Sequence, residues 1–108
     1  MDSSIGLRHM LDYAREAITL VRGKSRADLD SDRLLNLALV RLIEMVGEAA
    51  NRVPSNERTQ YPEVPWAQII GMRNRLIHGY DFVDFDILWQ TVVEDLPGLV
   101  AVLKRIGP

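Results

Sequence analysis

Leu7, Met10, Leu11, Ala14, Ile18 and Val21 recur at steps of three and four, the spacing that lines up one face of an α-helix. They predict a first helix over residues 5–22, with Ser3 or Ser4 as its cap and Gly23 as its stop. Residues 24–31 are polar and end in Asp30 and Ser31, either of which can cap the next helix. That second helix is predicted from about Asp32 to Arg52. Leu35, Ala38, Leu39, Leu42, Val46, Ala49 and Val53 form its main stripe, and Leu34, Leu37, Ile43 and Met45 widen it enough to pack on two sides. Gly47, which costs a helix interior about 1 kcal/mol against alanine, marks with Ala50 a place where a neighbouring helix can come close. Arg41, Glu44 and Glu48 share a polar face, read either as exposed ion pairs or as a carboxylate turned toward a site.

Pro54, Pro62 and Pro65, with Ser55-Asn56 between them, predict an irregular connection over residues 54–64 in which Arg58 is a mobile positive charge. Trp66, Ile69, Ile70, Arg73, Leu76 and Ile77 then predict a third helix that enters at Pro65 and ends near Gly79. After a short acidic turn from Asp81 to Asp84, a last helix capped by Asp84 carries Leu88, Trp89, Val92, Val93, Leu96, Leu99, Val100 and Leu103 straight through Pro97-Gly98. It is predicted as one helix kinked at Pro97. No stretch alternates with a period of two for long enough to make a strand. The expected fold is all-α: an antiparallel bundle of four main helices forming one domain over residues 1–108.

A chain of 108 residues can bury roughly two-thirds of its unfolded surface, and a content of 47% hydrophobic and 26% charged residues is that of a globular protein. No apolar run reaches membrane-spanning length, and the opening residues lack the basic and apolar regions of a signal peptide, so the expected location is the cytoplasm, with no membrane partner. There is no cysteine, hence no thiolate nucleophile or ligand, and the two histidines, His9 and His78, leave no recognisable zinc spacing. No metal or cofactor is expected. The net charge of -2 lacks the broad basic footprint of most nucleic-acid binders and leaves room only for a local patch.

Chemistry concentrates in residues 72–80, where Arg73, His78 and Tyr80 stand together. In the last turn of the third helix, His78 would meet the negative end of the helix dipole, which favours an imidazolium. On one continuous helix, Arg73 and His78 are five residues and therefore roughly 140° apart, so a site using both needs a long arginine reaching round or a second copy across a two-fold axis. Asn74 lies one turn below His78. His9 falls off the apolar stripe of the first helix and is assigned no role.

Arg73-Asn74-Arg75-Leu76-Ile77-His78-Gly79-Tyr80 resembles the R-x4-H-x-Y motif of the HEPN superfamily, and specifically of HepT-like toxins. The resemblance extends to Ile43-Glu44-Met45-Val46-Gly47-Glu48-Ala49-Ala50 in the second helix, to Val64-Pro65-Trp66 and to Asp86-Ile87-Leu88-Trp89 with Asp95-Leu96-Pro97, so it covers essentially the whole chain. It implies an all-helical two-fold homodimer acting as a metal-independent ribonuclease, the toxin of a toxin–antitoxin pair. It also implies an antitoxin that is a minimal nucleotidyltransferase and transfers AMP to the motif tyrosine. By that resemblance Arg73 and His78 are catalytic, Asn74 and Arg75 contact RNA phosphate or support the site, and Tyr80 accepts AMP. The competing expectation is a non-catalytic helical dimer that binds the nucleotidyltransferase or presents a nucleotide to it, which the acidic balance favours.

Overall fold

Leu7, Met10, Ala14 and Ala17 are fully or almost fully buried along one face of α1 (Ser3–Leu20), the stripe that seats this helix on the rest of the molecule. The computed structural model describes residues 3–78 and 82–108. Beyond α1 the chain turns through Gly23, whose φ of 74° is the left-handed conformation that glycine takes without strain. A four-residue helix, α2 (Asp28–Ser31), comes next, and then α3 (Arg33–Asn51).

The cap of α3 is Asp32, not Asp30 or Ser31. Those two are taken up in α2, whereas Asp32 is extended (φ -106°, ψ 94°) and its carboxylate accepts from the Leu35 amide at 3.0 Å. Buried Asn36 locks the corner by donating from Nδ2 to the Leu29 carbonyl at 3.0 Å, which satisfies a polar group that burial would otherwise penalise. Along α3 the buried side is Leu35, Leu39, Leu42, Ile43, Val46, Ala49 and Ala50. Of the residues expected to widen the packing, Ile43 does so, but Leu34 is 81% exposed and Leu37 49%.

The proline-rich connection is more ordered than its composition predicts. It holds a short helix, α4 (Ser55–Arg58), and Arg58 is fixed rather than mobile. Its guanidinium donates to the carbonyls of Val53 (2.8 Å) and Asn51 (3.1 Å), so it satisfies acceptors left open where α3 ends, and it lies 6.0 Å from the Trp66 ring centre.

The third predicted helix is broken in two. α5 (Trp66–Ile70) ends at Gly71, and α6 (Met72–Leu76) begins on its far side. A Cβ on Gly71 would sit 3.2 Å from the Ala67 carbonyl oxygen, tighter than side chains normally tolerate. Gly47 answers its sequence reading: a Cβ there would lie 3.3 Å from the carbonyl oxygen of Ile69, so the glycine is what lets α5 approach α3. α6 stops at Leu76, not at Gly79. Ile77 leaves the helical region (φ -104°, ψ 117°), and β1 (Ile77–His78) pairs antiparallel with β2 (Phe82–Val83) in the register Ile77↔Val83 and His78↔Phe82. The Asp84 amide donates to the Leu76 carbonyl at 2.7 Å and closes the hairpin onto α6. Two-residue strands are too short to show a period in sequence.

Asp84 caps α7 (Phe85–Gln90) as expected, accepting from the amides of Asp86 (3.0 Å) and Ile87 (3.1 Å). The helix then runs through a π-helical turn, Thr91–Asp95, into α8 (Leu96–Ile106). The irregularity expected at Pro97 therefore lies just ahead of it, in the π-helical turn, where the regular backbone ladder to which a proline cannot donate is already interrupted. Gly107 closes α8 in the left-handed conformation. The core that joins α1, α3 and α8 is built on Leu7, Met10, Leu39, Ile43, Val46, Leu96 and Leu103; α5 and α6 lie across the side of α3, and β1 packs beside α6.

Candidate active site

Arg73 projects from α6 toward α3. Its Nε meets Glu44 Oε2 at 3.4 Å, with the arginine side chain exposed and the carboxylate half-buried. Of the two readings of the Arg41, Glu44 and Glu48 face, Glu44 thus takes the one that turns a carboxylate to the motif arginine, and the pair ties a five-residue helix to the second long one. Arg75, two residues on and so about 200° round the helix, points elsewhere, with Nη2 at 3.8 Å from Asp95 Oδ2 in the π-helical turn. Asn74 is exposed between them.

His78 does not occupy the last turn of a helix. It is exposed on extended β1, and its ring stands 5.9 Å from that of Phe82 at 46°, with Phe82 58% exposed although it is a large aromatic. Both expectations drawn from a continuous helix, the dipole effect on His78 and the 140° offset from Arg73, therefore lose their basis. The two side chains leave different elements, one a helix and the other the strand that immediately follows it. Tyr80, the third motif residue, lies outside the described residues, as does Asp81 of the expected acidic turn.

Glu44 is the site residue that sequence reasoning left undecided. Its signal was the Glu-x2-Gly-Glu spacing of α3: Gly47 draws α5 close, which brings α6 and Arg73 within reach of a carboxylate one turn earlier. Glu48 is exposed and lines an open groove of 390 Å³ between α1 and α3, together with His9, Tyr13, Arg41, Met45 and Arg52. A second cavity, of 430 Å³, lies between α5, α6 and α8 with Arg75 and Asp95 at its margin. Arg26 pairs with Asp86 (2.7 Å) and Asp30 (3.2 Å), and these hydrogen bonds, Asp86 first, raise its pKa above the usual arginine value. Among the described residues no group of three or more His, Asp or Glu is placed to hold a metal ion, and no helix is long and apolar enough to cross a membrane.

An all-α domain that carries an arginine on a short helix and a histidine five residues later, just past the end of that helix, matches the family model described as "Ribonuclease HepT-like" over residues 10–106. The chain belongs to the HepT-like ribonuclease family. It is 38% identical over 100 residues to "Putative RNase TTE0752" of Caldanaerobacter subterraneus subsp. tengcongensis, a match covering 93% of this chain and 89% of that one. It is 35% identical over 100 residues to "Probable ribonuclease HepT" of Thermococcus cleftensis, covering 89% and 91%. With "Putative RNase MJ1380" of Methanocaldococcus jannaschii it shares 32% identity over 91 residues, 84% of each chain. No solved structure matches it significantly.

Proposed function

We propose that the protein is a metal-independent endoribonuclease, the toxin of a toxin–antitoxin pair, in which Arg73 and His78 of two copies face one cleft. The observation that carries this reading is the presentation of the motif: Arg73 steadied by Glu44 and His78 exposed on the adjoining strand, both open to a polymer. Membership of the family and the ribonuclease names of its relatives support it.

In the reaction, the 2′-oxygen of RNA attacks the adjacent phosphorus and the bond from phosphorus to the 5′-oxygen of the next nucleotide breaks. The proton lost from the 2′-hydroxyl goes to a base, and the departing 5′-oxygen takes one up. The products are a 2′,3′-cyclic phosphate and a 5′-hydroxyl. His78 removes or delivers the proton, and Arg73 grips the phosphate with two N–H donors and offsets the charge that grows on its oxygens. Asn74 and Arg75 support the site or contact neighbouring phosphates. Tyr80 is the acceptor through which a minimal nucleotidyltransferase antitoxin silences the enzyme: AMP attached there, two residues along the chain from His78, adds a charged phosphate and a bulky purine that oppose the entry of RNA.

The test is cleavage of a mixed RNA pool in EDTA by wild type and His78→Ala, after intact mass has shown that neither carries AMP. Cleavage by the wild type alone, with cyclic-phosphate ends and no action on DNA of the same sequence, is the expected result. Equal inertness of both proteins, or cleavage of DNA, would overturn the reading.

A further inference from the structure

The hairpin that follows α6 has two unlike faces. Successive residues of a strand point to opposite sides and directly paired residues share a side, so Ile77↔Val83 lies on one face of the ribbon and His78↔Phe82 on the other. Ile77 and Val83 are half-buried against the core. That turns His78 and Phe82 outward together, with Phe82 58% exposed and its ring centre 5.9 Å from that of His78. Tyr13, Tyr61, Trp66, Phe85 and Trp89 pack against the core instead. Of the described phenylalanine, tyrosine and tryptophan rings, the one left standing in solvent is thus the one paired across the ribbon with the motif histidine.

A single exposed apolar side chain needs no explanation by itself. Phe82 differs in its position, because its cross-strand neighbour is the residue to which the proposed function gives the proton. We infer that Phe82 is the stacking platform for a base that flanks the scissile phosphate. The ribose oxygen that exchanges a proton with His78 brings its own base within reach of the Phe82 ring, and a flat apolar ring is what the face of an unpaired base stacks on. Every base offers such a face, so the contact fixes where the nucleotide lies without dictating which base it is. Stacking also carries no charge. In a chain of net charge -2 it supplies affinity that a positive field does not, alongside the phosphate contact assigned to Arg73. The inference rests on the proposed ribonuclease function and deepens it by naming the residue that holds the base.

The test uses an oligonucleotide built around one cleavage position mapped in the mixed RNA pool. Two further versions replace the base on one or the other side of the cut by an abasic ribose that keeps its 2′-hydroxyl. Wild type should cut one of the abasic versions with kcat/KM lower by about 5–150-fold, mostly through KM. Phe82→Leu, which keeps an apolar side chain at an exposed position, should lose about as much on the intact oligonucleotide and little more on that abasic one, because the two changes remove the same contact. Phe82→Trp, which keeps a flat ring, should restore the sensitivity to the missing base. A role confined to the hairpin's own structure would slow Phe82→Leu on intact and abasic RNA by the same factor. That additivity, or a wild type indifferent to both missing bases, overturns the inference and leaves the ribonuclease reading standing. Should wild type bind the intact oligonucleotide without cutting it, the ribonuclease reading falls, and fluorescence anisotropy of the labelled RNA tests the stacking. Binding by Phe82→Leu that is weaker by about 5–150-fold on intact RNA, with no such gap on one abasic version, upholds the platform, and equal binding overturns it. RNA that is neither cut nor bound overturns both.

Discussion

At the scale of the residue, the proposed function divides the work among Arg73, Glu44 and His78 in a way that kinetics can separate. Removal of a proton-transfer group typically costs about 10²–10⁴ in rate, and of a charge-stabilising donor about 10²–10³. His78→Ala and Arg73→Ala should each therefore lose at least about a hundredfold in kcat/KM for RNA, measured on protein free of AMP. Glu44→Gln keeps the shape and removes the charge of a half-buried partner to an exposed arginine, a pair worth at most about 1 kcal/mol. It should lower kcat/KM by no more than about fivefold, and a loss as deep as that of His78→Ala would make Glu44 a reacting group instead. Tyr80→Phe should cleave RNA as the wild type does while taking no label from radiolabelled ATP supplied with the nucleotidyltransferase; continued labelling would move the acceptor elsewhere.

Individual elements carry predictions about stability. The Asp32 carboxylate caps α3 through the Leu35 amide, so Asp32→Ala should cost about 1 kcal/mol in urea unfolding, while Asp30→Ala should not weaken that cap. Gly47→Val would place a branched side chain against the Ile69 carbonyl and should cost about 1–3 kcal/mol, although valine is the better helix former. Much of this level was legible beforehand. The apolar stripes of α1, α3 and the last helix, the stop at Gly23, the Asp84 cap and the close approach at Gly47 all come from spacing or from one residue's conformational freedom. The misreadings share a physical cause. Ile77 continues the helical spacing of Trp66, Ile69 and Ile70, but the chain breaks at Gly71 and turns into a hairpin at Ile77 under tertiary contacts that no local period encodes. Likewise Arg58 stands among prolines and polar residues, and only the fold brings the open carbonyls of α3 to its guanidinium. Of the site, the motif residues were visible as a pattern, whereas the choice of Glu44 over Glu48 as partner to Arg73 depends on how α6 lies across α3.

For the whole molecule, a chain with net charge -2 has to engage a polyanion through local geometry rather than a general positive field. The shared cleft of the proposed function would make activity a property of the pair, so specific activity per chain should fall on dilution below the dimer dissociation constant and return on concentration. A flat dilution curve, with mass measurements showing monomer at the low end, would place the complete site in one copy. The segment that carries the arginine is also a short one, a helix of five residues. Five residues cannot sustain a helix in water, so α6 keeps its shape only because α3 and α7 hold it in place. The working part of the enzyme is thus on loan from its scaffold: on warming, competence should fade before the long helices melt, and the amides of α6 should exchange with solvent ahead of those of α3.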